Sequence, residues 1–220
     1  MSSSCRNIAT RVTREDVCHL LDLFIEMQAT RDLNLFYPLN EFYEQSGQPL
    51  PSVARVEAEE MPEPYRSLLV HESSMTLTLE KAYQRGVRLR VLKSALFGNV
   101  LSRQVVLVLD GDATVVEFGG IKIHLQHFPP QARQLVLEGK QPLGSILQSQ
   151  GIEPASRPEY YIQVMADALI AGALHLAGPC LLYGRRSALL DSSRRTLAEI
   201  VEILPPANGF SGLEKRREPS

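Results

Sequence analysis

Apolar and polar positions alternate along much of this chain with the two-residue period of β-strands. Val87, Leu89 and Val91 alternate with Arg88 and Arg90 directly after Gly86, which predicts a helix-to-strand passage and a half-buried strand. Arg103 heads the run Val105-Val106-Leu107-Val108-Leu109. Asp110-Gly111-Asp112 follows, and a second β-rich run extends from Val115 to Leu125. Asp-Gly supplies the positive φ angles of a tight turn, so the two runs predict a β-hairpin. From Leu182 to Pro206 the chain reads LYGRRSALLDSSRRTLAEIVEILPP, with an arginine pair heading one strand-like run and acids inside the next. Successive strand residues face opposite ways, so at most one of Arg185 and Arg186 looks inward, and the same holds for Glu199 and Glu202.

Helical spacing appears between these runs. Residues Arg14 to Gln28 place Val17, Leu20, Leu21, Phe24, Ile25 and Met27 at mostly helical spacing, which fits an amphipathic helix. Thr30 to Pro64 is rich in Asn, Gln, Ser, Glu and Pro and reads as a long, partly ordered connection whose aromatics pack on the core. After Met61 to Pro64, a helix is expected with Ser74 or Thr76 near its start and Leu77, Leu79 and Tyr83 within it. Another is expected from Pro129 to Gly139, and the loop Gln141 to Ser145 leads into a short helix or strand at Ile146-Leu147. The apolar stretch Ile162 to Leu182 contains Asp167, His175 and Pro179, and so reads as a buried helix ending at Gly178-Pro179 rather than a membrane span. The charged tail beyond Pro206 is expected to be disordered. The fold class that follows is α+β: a mostly antiparallel β-sheet with helices packed on one side. The expected organisation is an N-terminal helix and connection (1–64), one α+β domain (65–206) and a tail (207–220).

Composition narrows the classes. At 220 residues, 44% hydrophobic and 22% charged, the chain fits one ordinary globular core. A net charge of -2 leaves no basic footprint, and the first 60 residues show no basic helix-turn-helix, so no nucleic-acid partner is expected. Cys5, Cys18 and Cys180 are too few and scattered for a disulfide framework or a CxxC metal site. His124 and His127 alone are weak evidence for zinc. No GxGxxG or P-loop pattern occurs, and the N-terminus lacks the apolar run of a secretory signal, so a cytoplasmic setting without a membrane span is expected.

Taken in order, Ser74-Met75-Thr76, Arg103, Asp110-Gly111, Pro142-Leu143-Gly144, Gly184-Arg185-Arg186-Ser187 and Glu202 resemble the bacterial chorismate pyruvate-lyase family, over about Leu68 to Pro206. The resemblance implies a compact antiparallel sheet with helical flaps, no cofactor and no metal. It also implies conversion of chorismate to 4-hydroxybenzoate and pyruvate. Carried over, Arg103 matches the arginine that grips the ring carboxylate, Met75 and the Leu143 backbone N–H match carboxylate-side positions, and Glu202 matches the acid that meets the ring hydroxyl. A guanidinium fork suits a carboxylate because it offers two parallel charge-assisted bonds. The inward member of the Arg185-Arg186 pair is available for a second carboxylate, and the residues do not decide which one it is. The chain departs from the family in its N-terminal extension, in an enlarged Gly144 to Tyr183 segment, and in the turn lengthened by Ser192 to Arg195. Two other readings therefore stand beside the lyase: a small aromatic-acid binding or sensor protein of the same fold, and a lyase giving a different hydroxybenzoate.

Overall fold

The computed structural model describes residues 33–207. The helix expected over Arg14 to Gln28 and the tail beyond residue 207 lie outside them. The fold is α+β, built on a seven-stranded, wholly antiparallel sheet in the order β1-β5-β6-β7-β4-β3-β2. Its strands are β1 (Val53–Val56), β2 (Val87–Phe97), β3 (Val100–Leu109), β4 (Val115–His124), β5 (Ala155–Met165), β6 (Leu181–Leu190) and β7 (Thr196–Ile203). The hairpin lies where the alternation and Asp110-Gly111 place it, and its turn carries Gly111 at φ 99°.

The helices are α1 (Leu39–Ser46), α2 (Tyr65–Leu69), α3 (Met75–Tyr83), α4 (Pro130–Glu138), α5 (Leu143–Ser149) and α6 (Ala168–Leu174). Strand alternation divides the core. Val106, Phe118, Ile162, Val164, Val201 and Ile203 pack with Leu39, Phe42 and Tyr43 of α1 and with Ile170 and Leu174 of α6. Leu107, Leu109 and Val116 pack with α2 and α3, while Leu101, Ile121, Ile123 and Ala198 pack with α4 and α5. The flap-like helices α3, α4 and α5 thus cover the face of the sheet on which Arg103 and Glu202 stand.

Two readings of the elements are corrected. Ile162 to Leu182 is not one helix. Tyr160, Ile162 and Val164 continue the alternation of β5, and a helix starts only at Asp167, whose side chain accepts from the Ile170 N–H at 2.9 Å. It ends at His175 in the left-handed region, and the chain re-enters the sheet at Leu181. The stretch from 30 to 64 is more than a connection, since it supplies α1 and the edge strand β1, paired in register with β5. Its Phe36, Phe42 and Tyr43 are buried.

Candidate functional site

Strand register sets out the floor of a cavity. One row across the sheet runs Arg103 (β3), Ile121 (β4), Ile200 (β7), Ser187 (β6), and the next runs Val105, Gly119, Glu202, Arg185. Glu117 lies one step further along β4, opposite Leu107. These side chains share a face, and with α3, α4 and α5 above them they enclose about 480 Å³, the size of a small-molecule pocket. Leu89, Val105, Leu107, Ile123, Val136 and Ile146 make its walls largely apolar. Two glycines permit the closeness of these elements. A Cβ at Gly144 would stand 2.5 Å from Ser74 Oγ, so the absence of a side chain there lets the start of α5 rest on the start of α3. A Cβ at Gly119 would stand 2.5 Å from the Val201 carbonyl oxygen, so only glycine fits at this point of β4 beside β7.

Of the residues singled out in the sequence, Met75, Arg103, Leu143, Arg185 and Glu202 line this one cavity. Arg103 is 6% exposed. Its Nη2 donates to the Leu137 carbonyl at 3.3 Å, its Nε has no partner, and no carboxylate among the described residues lies within ion-pair distance. Burial lowers the pKa of its guanidinium from the ordinary value. Met75 is buried at the first turn of α3, and Leu143 opens α5.

Arg185 and Glu202 form a buried pair, with Nε donating to Glu202 Oε2 at 2.6 Å. The rest of the guanidinium is engaged as well. Nη1 donates to the carbonyls of Leu69 at 3.2 Å and His71 at 2.8 Å, and Nη2 donates to the Ser73 carbonyl at 3.2 Å. Arg185 therefore pins the loop that leads from α2 into α3. His71 Nε2 lies 2.7 Å from the Leu68 carbonyl, a contact that needs the proton on Nε2, leaving Nδ1 to accept from the Ser73 N–H and from Arg185. Burial, then the neighbouring Arg185 charge, lowers the His71 pKa.

Arg186 is corrected as a pocket residue. It points to the opposite face, where Nη1 meets Glu159 at 3.1 Å and the guanidinium lies over the rings of Tyr37 and Tyr160. Glu199 also faces away from the cavity and contacts His124 at 2.8 Å. Reading the sequence missed Glu117. It lines the cavity at 5% exposure, with Oε2 unpartnered. Burial, then the charge of Glu202, pushes its carboxyl well above the ordinary range, against the smaller opposing effect of Arg185. The signal was its place in the two-residue period that carries on through Gly119 and Ile121 inside an apolar strand. Ser156 and Ser187 add buried hydroxyls without partners. Among the described residues no group of three or more His, Cys, Asp or Glu side chains is arranged to hold a metal, and no helix is long and apolar enough to cross a membrane.

No family model and no curated protein sequence matches this chain. Solved structures do resemble it. PhnF from Mycobacterium smegmatis is 16% identical, with 84% of this chain and 92% of that one covered at a TM-score of 0.48. The effector domain of the same protein is also 16% identical, with 62% and 90% covered at 0.47. A transcriptional regulator of the GntR family from Bacillus cereus is 10% identical, with 61% and 96% covered at 0.40. At these identities and TM-scores the likeness carries nothing beyond a general resemblance of fold.

The lyase expectation is corrected accordingly. The solved structures named here are PhnF, its effector domain and a transcriptional regulator of the GntR family, and none of them is described as a chorismate-cleaving enzyme. The acid matched to the ring hydroxyl, Glu202, is held by Arg185, and Arg185 is itself committed to the loop carbonyls. A dianion would find Arg103 as the one cavity-lining cation without a carboxylate partner among the described residues.

Proposed function

We propose that this chain is a small-molecule-binding protein of the sensor type, whose cavity takes a small carboxylate with an apolar body. The single observation that carries the reading is Arg103: a guanidinium buried in an apolar cavity, with Nε unpartnered and no protein carboxylate beside it. Burying a charge without a counterion is costly, and a ligand carboxylate offsets that cost with two charge-assisted bonds. Leu143 and Met75 line the same cavity and support the reading as further contacts for the bound acid. Helices α3, α4 and α5 would open to admit the ligand and close over it.

Calorimetric titration with benzoate tests this. The expected result is saturable one-to-one binding that weakens at least about tenfold in Arg103→Ala, the loss of roughly one charged hydrogen bond. Absence of binding to the wild-type protein, or equal binding by the variant, would remove the reading.

A further inference from the structure

Among the described residues, the large apolar side chains left exposed are gathered in one place. They are Leu92, Leu96 and Phe97 on β2 and Leu137 near the end of α4. Phe97, at 90% exposure, closes β2 where the chain turns into β3. Helix α4 lies over the same hairpin, because Arg133 Nη2 donates to Asn99 Oδ1 at 3.0 Å and Arg103, opposite Ser94, donates to the Leu137 carbonyl. Exposed apolar groups gathered in this way mark an interaction surface.

The backbone beside the patch is open as well. β1 and β2 are the two edges of the sheet, and β2, with 11 residues, is much the longer. Leu92 to Phe97 are exposed throughout, and among the described elements only β3 pairs with β2. An edge strand with free N–H and C=O groups and apolar side chains is a template for another strand. Arg88 and Arg90 guard the first half of β2, Arg88 in an ion pair with Asp110. A register shift between Val91 and Lys93 separates that half from the second, in which Lys93 is the one charged residue.

We infer that this edge is covered by the same edge of a second copy, the two β2 strands pairing antiparallel about a twofold axis at Ser94. The sequence is self-complementary in that register. Leu92 falls opposite the partner's Leu96, Val91 opposite the partner's Phe97, and Lys93 opposite the partner's Ala95, while Arg90 meets Gly98 at the turn. No cation faces a cation. An axis at Lys93 would set the two lysines opposite each other. An axis at Ala95 would leave Leu96 facing Ser94 and Leu92 facing Gly98, and one at Leu92 would set Val91 against Lys93 and Arg88 against Leu96. Charge and apolar matching together select Ser94. The paired strands join the two sheets edge to edge, with Leu137 of each copy beside the junction.

Sedimentation velocity of the full chain at micromolar concentration tests this, together with oxidative cross-linking. The wild type should sediment as a dimer of 24.5 kDa chains. Phe97→Asp, whose side chain is exposed in the single copy, should weaken association at least about a hundredfold. Ser94→Cys should form a disulfide-linked dimer under mild oxidation, because directly opposite residues of antiparallel strands stand roughly 4.5–5.5 Å apart between Cα atoms, within disulfide range. The wild type, which keeps Cys5, Cys18 and Cys180, controls for cross-links made elsewhere. A monomeric wild type overturns the proposal. A dimer that persists in Phe97→Asp overturns it too, since the contact then lies on another surface, and so does a Ser94→Cys protein no more cross-linked than the wild type. Leu96→Lys, read in the same way, replaces Phe97→Asp should that variant not fold.

Discussion

Two adjacent arginines show how much one residue's environment decides. Arg185 is buried with an acid and three carbonyls around it, whereas Arg186, 14% exposed at its side chain, shares Glu159 and two aromatic faces. Removing Arg185 leaves Glu202 as an uncompensated buried charge and frees the Leu69 to Ser73 loop. Arg185→Ala should therefore cost about 3–5 kcal/mol. Arg186→Ala, at the edge of solvent, should cost about 1 kcal/mol. Urea denaturation of the two variants checks the contrast, and equal losses would mean that the buried network does not hold the loop. Strand alternation revealed that the pair splits between faces, and that Glu199 and Glu202 split likewise. Which face held the cavity was not readable, because that depends on where α3, α4 and α5 settle.

At the scale of elements, short polar signals decided where apolar runs break. The stretch from Ile162 to Leu182 is apolar enough to suggest a single helix, yet Asp167 divides it by satisfying the Ile170 N–H at the start of α6. Ahead of that point, pairing with both β1 and β6 fixes the residues as a strand. Asp167→Ala should lower stability by about 0.5–2 kcal/mol, the usual worth of an N-cap. Thermal or urea unfolding measures this, and an unchanged midpoint would show that packing of Ile170 and Leu174 alone holds α6. The edge strand β1 was hidden for a different reason. Its four residues, Val53–Val56, are too short to display a period and become a strand through β5.

For the whole molecule, a buried acid links stability to pH. The folded-state pKa of Glu117 is raised, so between its ordinary value of 4.5 and the raised one the folded protein binds more protons than the unfolded chain. Stability contributed by this group is therefore present in full below the unfolded value and is lost as pH rises through the folded one. Glu117→Gln removes that proton linkage, so the variant should gain stability relative to the wild type as pH increases from about 4.5 toward neutrality. Denaturation midpoints of both proteins across that range test the sign, and a constant difference would show that Glu117 titrates in the folded protein as it does in the unfolded chain.

The sequence by itself determined the α+β class, the central hairpin, the alternation that sends Glu202 one way and Glu199 the other, and Met75, Arg103, Leu143, Glu202 and the undecided pair Arg185 and Arg186 as residues to watch. These follow from local periodicity, turn chemistry and ordered motifs, which survive in any context. Tertiary structure decided the rest. Whether a charged side chain is a free anchor or a committed clamp depends on partners far apart in the chain: Arg185 is fixed by Glu202 and by carbonyls from Leu69, His71 and Ser73, while Arg103 is left facing the cavity with its Nε unpartnered. Glu117 became visible only once β4 was seated between β3 and β7, because burial and the neighbouring Glu202 charge arise from that assembly and from nothing local.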